Sequence, residues 1–192
     1  LSLAELAPQR DIGLRLGSEK TPAQLNAAEI AASHAPTLHE ALKRVARYKR
    51  LVCAEHVRLA RRADEATIED SWIHAKGPTP RLLVECIFAA LVRLVCDASG
   101  GAFLPRRIEL SRRRADAPLL EGHFGCPVVF DAPRDRLVVS ASDLDRRFRV
   151  RHSTLYAELF PHMEAALAAR TLAFGDRMRG RLRDRMVGGR IT

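Results

Sequence analysis

The chain has 192 residues, of which 47% are hydrophobic and 29% charged, and its formal net charge is +9. This length fits one domain, or one domain with an appended helical arm, and the apolar share excludes a disordered chain. The longest apolar run, residues 82–92, is interrupted by Glu85. It is far shorter than the ~20 residues that cross a bilayer, so the sequence predicts no membrane span and no membrane partner.

The positive charge comes almost entirely from arginine, since only four of the 32 basic residues are lysine. Arginine suits phosphate binding and ion pairs, which would fit a nucleic-acid partner. An Arg-rich, Lys-poor composition is equally what a coding bias produces, and charge alone does not specify a binding function. Aromatic residues make up only 5% of the chain, which argues against a stacking platform for single-stranded nucleic acid.

The four cysteines, Cys53, Cys86, Cys96 and Cys126, lie far apart and form no C-x-x-C pair. With no signal peptide in the sequence, we expect free thiols in a reducing, cytoplasmic compartment. The chain begins at Leu1 rather than methionine, and we expect it to be a piece of a longer protein.

The sequence before the first hairpin predicts two helices. A short helix over residues 1–6 precedes Gly13 and Gly17, whose spacing does not make a phosphate loop. Thr37 and Glu40 are placed to form a capping box for the next helix. The apolar face of that helix is predicted to contain Leu38, Leu42, Val45, Tyr48 or Lys49, and Val52.

Residues 57–72 alternate in polarity as expected of a hairpin with one buried face. Asp70 is the exception, because it is polar on the otherwise apolar parity that includes Ile68 and Trp72. Thr79 and Pro80 are then predicted to cap and open a strongly apolar core helix, which Gly100 and Gly101 end.

The second half predicts a strand with Ile108 and Leu110 facing inward, a short helix near residues 119–124, and a second hairpin of residues 127–130 with 136–139. Ser142 is predicted to cap a turn. Residues 154–186 carry an apolar helical stripe that suits dimerisation, and its first members are Leu155, Leu159, Met163 and Leu167.

These elements predict an α+β fold, in which an antiparallel sheet of two hairpins plus a single strand packs on a central apolar helix. A long C-terminal amphipathic helical arm completes it. We expect residues 1–150 to form a regulatory domain and residues 151–192 the helical dimerisation or linker arm.

Catalytic and metal-binding patterns are weak. His123 and Cys126 could in principle form a nucleophile pair, but a turn before a buried strand explains them as well. His34 and His39 lack the partners of a metal site. We therefore expect no enzyme, no catalytic residue, no metal and no cofactor.

A ligand site is a better candidate near the end of the first hairpin. Trp72 and His74 close the second strand, and Arg81 and Glu85 lie in the first turns of the core helix. A helix N-terminus together with arginine favours a carboxylate or phosphate. The alternative is that Trp72 belongs to the core and His74 to a loop.

Several short segments follow one another over about residues 11 to 150. The first are GLRLG at 13–17, APTLHEAL at 35–42 with ARY at 46–48, PRLLVE at 80–85 and PRRI at 105–108. The last is FGCPVVF at 124–130, which continues through APR at 132–134 and Leu137 to SDLD at 142–145. In this order they resemble the N-terminal ligand-sensing domain of AraC/XylS-type transcription regulators, usually labelled arabinose-binding-like. Each segment is weak alone, and the order and spacing carry the resemblance.

The resemblance implies a cytoplasmic bacterial regulator that senses an unknown small-molecule effector, forms a homodimer, and binds promoter DNA through a C-terminal helix-turn-helix domain that this chain lacks. Residues 188–192 resemble the approach to that domain. Two alternatives remain: a stand-alone basic nucleic-acid-binding domain, whose affinity would fall steeply with salt, and a protein-interaction domain.

Overall fold

The computed structural model describes residues 10–53, 55–73, 77–101, 103–148, 154 and 156–170. The chain divides into two compact units, Leu1–His152 and Ser153–Thr192. The predicted helix over residues 1–6 and the predicted arm beyond residue 170 lie outside the described residues. No helix within the described ranges is long and apolar enough to cross a membrane.

The first unit contains five α-helices and a five-stranded sheet within the described residues. The helices are α1 (Ile12–Ser18), α2 (Ala27–Ser33), α3 (Leu38–Val52), α4 (Arg81–Ser99) and α5 (Ala117–Phe124), with 3₁₀ turns at Pro22–Gln24 and Ala141–Asp145. The strands are β1 (Glu55–Arg62), β2 (Glu65–Trp72), β3 (Arg107–Glu109), β4 (Val128–Val129) and β5 (Arg136–Ser140). The α+β class is confirmed.

The start of α3 follows the prediction only in part. Thr37 is the N-cap, and its hydroxyl accepts a hydrogen bond from the backbone N–H of Glu40 at 3.3 Å. The carboxylate of Glu40 instead accepts from Lys43 at 3.0 Å, so only the Thr37 half of the predicted capping box forms. A complete capping box occurs one helix earlier, where Asn26 and Glu29 satisfy each other's backbone N–H groups at the start of α2.

The buried face of α3 includes Tyr48, which settles the open choice between Tyr48 and Lys49. The prediction for Val52 is wrong, since its side chain is 47% exposed. The helix ends there, and the chain turns into the extended conformation of Cys53 before the face can continue inward.

The central helix α4 begins at Arg81, and the prediction that Thr79 caps it is wrong. Pro80 occupies the N-cap position, and its carbonyl accepts the N–H groups of Leu83 and Val84. Gly100 ends the helix in the left-handed region at φ 72°, as predicted, because this conformation favours glycine.

The sheet has the order β1-β2-β5-β3-β4. The first predicted hairpin is confirmed, since β1 and β2 pair antiparallel with Val57 opposite Asp70. The second predicted hairpin is wrong: β4 pairs in parallel with β3, and β5 pairs antiparallel with β2 and β3. The sheet is therefore mixed, and β3 lies between the two strands that were expected to pair.

Backbone hydrogen bonds explain why the second hairpin does not form. After β4, Asp131 and Ala132 donate to the carbonyls of Arg112 and Leu110. Residues 131–132 therefore remain hydrogen-bonded to the segment that follows β3 before the chain reaches β5. The predicted cap at Ser142 is also wrong: Ser140 precedes the 3₁₀ turn, makes no side-chain cap, and its hydroxyl contacts that of Ser142 at 2.9 Å.

The core lies between the sheet and the helices. Sheet residues Ile68, Ile108 and Leu137 belong to one buried cluster with Phe88 of α4 and Leu42 of α3. Ile108 and Leu110 are buried as predicted.

Helix α1 packs against α4 through its two glycines. A Cβ atom on Gly13 would lie 2.8 Å from the Leu82 carbonyl oxygen, and one on Gly17 would lie 2.3 Å from the Cys86 carbonyl oxygen. The four-residue glycine spacing therefore serves a close backbone approach between two helices.

The second unit contains a helix over residues 156–170. Of the predicted dimerisation residues, Met163 is buried, Leu159 and Leu167 are partly buried, and Leu155 lies outside the described residues.

Candidate ligand site

Three buried polar atoms without a hydrogen-bond partner lie on the two strands of the first hairpin: Glu55 Oε2, Asp70 Oδ1 and Trp72 Nε1. Within the described ranges, no other side-chain atom has this status. Glu55 is directly opposite Trp72, and Asp70 is two residues away, so all three lie on the same face of the sheet. Because buried polar groups in folded proteins are nearly always hydrogen-bonded, we take this face as the candidate ligand site.

Lys49 supplies a positive charge next to this group. It lies in the last turn of α3, and its Nζ is 3.0 Å from Glu55 Oε2. This ion pair compensates the Glu55 carboxylate, so of the three atoms only Asp70 Oδ1 and Trp72 Nε1 have neither a hydrogen bond nor an ion pair. Burial opposes the charge of Lys49, but Glu55, assisted by Cys53 and Asp70, raises its pKa overall. Lys49 therefore stays charged at neutral pH.

Asp70 is electrostatically unfavourable in its ionised form. Burial, together with the nearby Glu55 carboxylate, raises its pKa to about 7, while Lys49 acts in the opposite direction. Burial and the same Glu55 carboxylate raise the pKa of the Cys53 thiol to about 12, so this cysteine is an uncharged neighbour. At neutral pH, Asp70 is consequently poised between its two protonation states.

A cavity opens beside Asp70, between β2, the first turns of α4 and the loop before β5. Its volume is about 10 Å³, and it is lined by Asp70, Thr79, Val84, Ile87, Phe88 and Asp135. That space admits roughly one water-sized group. Asp135 Oδ1 already accepts hydrogen bonds from the Ser111 N–H and hydroxyl, at 2.7 and 3.0 Å.

Of the four predicted ligand residues, the structure describes three, and it places them in two clusters. Trp72 lies in the polar group described above, and His74 falls outside the described residues. Arg81 and Glu85 pair with each other at 2.8 Å in a different cluster. There, Arg112 also donates to Glu85 at 2.6 Å. Burial raises the pKa of Glu85 even though both arginines favour its charged form.

The arginine cluster holds the helices together. Arg81 donates to Asp116 at 2.7 Å and to the Arg10 carbonyl at 2.7 Å. Glu85 also lies against Gly13 of α1, where a Cβ atom would be 3.0 Å from the Glu85 Cβ. The charged groups of this cluster are already paired with other protein atoms, which is typical of a network that stabilises the fold.

Lys49 and Glu55 were not recognised in the sequence. Glu55 shares the buried parity of Val57, but the predicted strand began two residues too late to include it. Lys49 was considered only as an alternative to Tyr48. Asp70, in contrast, was visible as the polar residue on the apolar parity.

A second, larger groove runs along α1 and has a volume of about 440 Å³. It is open to solvent, and its lining contains the ion-paired Arg15 and Glu19 and the Lys20 that pairs with Glu29. None of the three unpartnered buried atoms lines it. We therefore favour the cavity beside Asp70 as the place where one polar group of a ligand binds, since its volume admits no more than that.

Many arginines on the other face of the sheet are neutralised by glutamates. Arg107 binds Glu65 through two hydrogen bonds of 2.6 and 3.0 Å. Glu69 accepts from Arg134 at 2.7 Å and from Arg136 at 3.3 Å. This arrangement weakens the argument that the net charge marks a nucleic-acid surface.

The His123 and Cys126 pair lacks the features of a reactive thiol. Burial raises the pKa of Cys126 to about 11, which disfavours the thiolate that nucleophilic chemistry needs. The ring of His123 contacts that of Phe124, with centroids 5.1 Å apart. In the part of the chain that the structure describes, no three His, Cys, Asp or Glu side chains converge as a metal site would require.

Comparison with solved structures finds a similar fold in the crystal structure of the transcriptional regulator CdpR from Pseudomonas aeruginosa. The TM-score is 0.61 at 19% sequence identity, and the match covers 81% of this chain and 54% of that one. The chain thus spans about half the length of that regulator. No curated protein matches the chain. Residues 1–148 match the family described as the arabinose-binding domain of AraC transcription regulators, N-terminal. Since this match covers most of the chain, the protein belongs to the AraC regulator N-terminal domain family.

Proposed function

We propose that this domain senses a small-molecule effector, one polar group of which enters the cavity beside Asp70, and so regulates a transcription factor of the AraC type. The observation that carries the proposal is the pair of unpartnered buried polar atoms at Asp70 and Trp72, next to a cavity that Asp70 lines. An unsatisfied buried polar group costs about 1–3 kcal/mol, and a ligand that partners these atoms recovers part of that cost on binding. The family label itself does not make arabinose the effector.

The four predicted ligand residues have different roles in this proposal. Trp72 remains a ligand-site residue because its indole N–H has no partner. His74 stays a prediction. We assign Arg81 and Glu85 to the attachment of α1 on α4, because their charges are already paired with Arg112 and Asp116.

The proposed response is a shift between two arrangements of the domain. The cavity lies where Val84, Ile87 and Phe88 of α4 approach β2, and α1 packs on the same helix. A ligand that binds one arrangement of α4 more tightly raises the population of that arrangement. DNA binding belongs in this proposal to a helix-turn-helix domain of the parent regulator. The N-terminal position of the family domain and the greater length of CdpR support that division.

A test of effector binding uses the only tryptophan of the chain, Trp72, as a fluorescent reporter. We expect a panel of small metabolites, covering cations, anions and neutral compounds, to contain at least one that changes its fluorescence saturably and raises Tm. Thr79→Phe places a bulky side chain at the cavity wall and should abolish the response. Thr21→Phe, at an exposed position, is the matched control and should retain it. A compound that binds Thr79→Phe and the unmodified chain equally would place the ligand site elsewhere.

We also propose that the second unit mediates dimerisation through the stripe of Leu155, Leu159, Met163 and Leu167. Apolar residues four positions apart share one helix face, which supports this role. Because residues 153–192 form a separate compact unit, their removal need not cut the sensing domain. In sedimentation we expect a dimer for the complete chain and a monomer for residues 1–152, with the Trp72 response retained. A truncated chain that remains dimeric would refute this role.

A further inference from the structure

The outer face of the sheet, which is the face opposite to Ile68, carries a row of alternating charges. In register across β1, β2, β5 and β3 stand Arg58, Glu69, Arg136 and Glu109. Arg136 contacts the carboxylates on both sides of it, at 3.3 Å for Glu69 and 3.7 Å for Glu109. Arg58 has a carboxylate only toward β2, because β1 is the last strand on its side of the sheet. The alternation therefore leaves a place for a negative charge beyond Arg58.

The two outward-facing arginines of β1 lack an ion pair of their own. Glu69, opposite Arg58, is already bonded to two arginines at the start of β5. Glu65, opposite Arg62, is likewise bonded to two arginines at the start of β3. Both Arg58 and Arg62 are exposed, and neither takes part in an ion pair with any residue that the structure describes. Their charges are therefore available to a partner.

The backbone edge of β1 is free as well. The strand has eight residues, and among the described residues its backbone groups form backbone hydrogen bonds only with β2. The opposite edge of the sheet, β4, has only two residues, and the N–H of Val128 there donates to Glu121 at 3.4 Å. An unpaired strand of the length of β1 offers a row of donors and acceptors to another strand.

We propose that the free edge of β1 binds an extended acidic segment of a partner protein as an added strand, with carboxylates opposite Arg58 and Arg62. Side chains opposite each other on paired strands lie about 5 Å apart, so the added carboxylates continue the alternating row. On the other face of the added strand, apolar side chains fit beside Leu59, which packs against the core. This inference goes beyond effector sensing and does not depend on the cavity beside Asp70.

Charge favours an acidic strand over two other occupants. A second copy of this chain would bring the same two arginines to the edge, and like charges at opposite positions repel. Duplex DNA lying on the outer face would meet Glu65 and Glu69 beside the arginines, since these carboxylates are on the adjacent strand. An added strand lies in the plane of the sheet. It therefore approaches Arg58 and Arg62 from the side that has no carboxylate.

The test measures binding of a fluorescein-labelled peptide, Glu-Val-Thr-Val-Glu-Val-Thr-Val, to the complete chain by fluorescence anisotropy at low ionic strength. Its two glutamates have the same spacing as Arg58 and Arg62, and they share one face of a strand. One matched probe replaces both glutamates by glutamine. The other exchanges the second glutamate with the valine before it, which puts the carboxylates on opposite faces.

We expect saturable binding of the first peptide and roughly fivefold weaker binding of each matched probe, the loss that two exposed cross-strand ion pairs produce. In the complex, hydrogen exchange should slow at those amide protons of β1 that point away from β2. This second readout reports the added strand itself, because an ion pair between side chains alone would leave the backbone edge open to solvent.

Variants of the two arginines locate the binding. The double variant Arg58→Gln/Arg62→Gln removes both charges and should weaken binding of the acidic peptide roughly fivefold. Arg113→Gln is the matched control, because it removes the same charge from an exposed arginine on the loop after β3; its affinity should equal that of the unmodified chain. Charge reversal by Arg58→Glu/Arg62→Glu should transfer the preference to a peptide with lysine in place of both glutamates.

Four results would overturn the proposal. The first three are no saturable binding of the acidic peptide, equal binding of the glutamine peptide, and unchanged affinity in Arg58→Gln/Arg62→Gln. The fourth is protection of the β1 amide protons without peptide that rises with protein concentration, which would indicate a second copy on this edge. Duplex DNA that binds the chain through the same two arginines, while the peptide does not bind, would assign them to phosphate instead.

Discussion

Replacing Gly17 by alanine is expected to lower the free energy of unfolding by about 1–3 kcal/mol, the usual cost of overpacking a tight contact. The added Cβ would lie 2.3 Å from the Cys86 carbonyl oxygen and 2.8 Å from both the Ala89 Cβ and the Ala90 nitrogen. Two of these three atoms belong to the backbone of α4 and cannot move aside as a side chain would. The substitution must therefore push α1 away from α4.

Gly122→Ala is the matched control for Gly17→Ala. Gly122 also lies within a helix, α5, but a Cβ there would meet nothing within 4 Å. Alanine should stabilise this position by roughly 0.5–1 kcal/mol, because glycine loses more backbone entropy in a helix. Urea unfolding of the three proteins measures the difference. Equal stabilisation by both substitutions would contradict the close approach of α1 to α4.

Asp70→Asn is expected to stabilise the protein at pH 8 by about 2 kcal/mol and to have little effect near pH 4. The folded-state pKa of Asp70, about 7, lies above its ordinary value of 3.8. The folded chain therefore holds a proton that the unfolded chain releases, so stability falls as pH rises from about 4 to about 7. The figure at pH 8 is below the full ~1.4 kcal/mol per pH unit, because Asp70 is only partly buried and solvent screens its charge.

The pH dependence can be checked by chemical denaturation at several pH values. In Asp70→Asn, the contribution of this carboxyl to the fall in stability between pH 4 and 7 should disappear. Asp97→Asn is the control, because it removes an exposed carboxylate that lies on α4 and pairs with Arg93. If the profiles of Asp70→Asn and the unmodified chain coincide, Asp70 does not experience the environment described here.

The alternating pattern of the first hairpin was readable in the sequence because a strand with one buried face obeys a period of two. The same pattern singled out Asp70 and included Trp72. It could not reveal that Lys49 joins them, since that contact brings the end of α3 against the sheet. A long-range contact of this kind leaves no periodic signal in the sequence.

The second hairpin illustrates the opposite case. Residues 127–130 and 136–139 are separated by a polar turn, which favours local pairing. The observed parallel pairing of β3 with β4 requires the crossover through α5, and the partner of each strand depends on the whole sheet. Likewise, the spacing of Gly13 and Gly17 shows that one helix face is bare, but α4 as its partner emerges only from packing.

The positive charge of the chain takes a different meaning once the ion pairs are known. Arg107, Arg134 and Arg136 neutralise glutamates on the sheet, and Arg81 and Arg112 neutralise Glu85 within the helical layer. These arginines serve the fold.

A crystal structure of the chain with the tightest-binding compound of the metabolite panel shows directly whether the effector binds beside Asp70. We expect electron density for that compound within hydrogen-bond distance of Asp70 Oδ1, against Phe88 and Asp135. Density in the open groove along α1, with the cavity beside Asp70 unchanged, would contradict it.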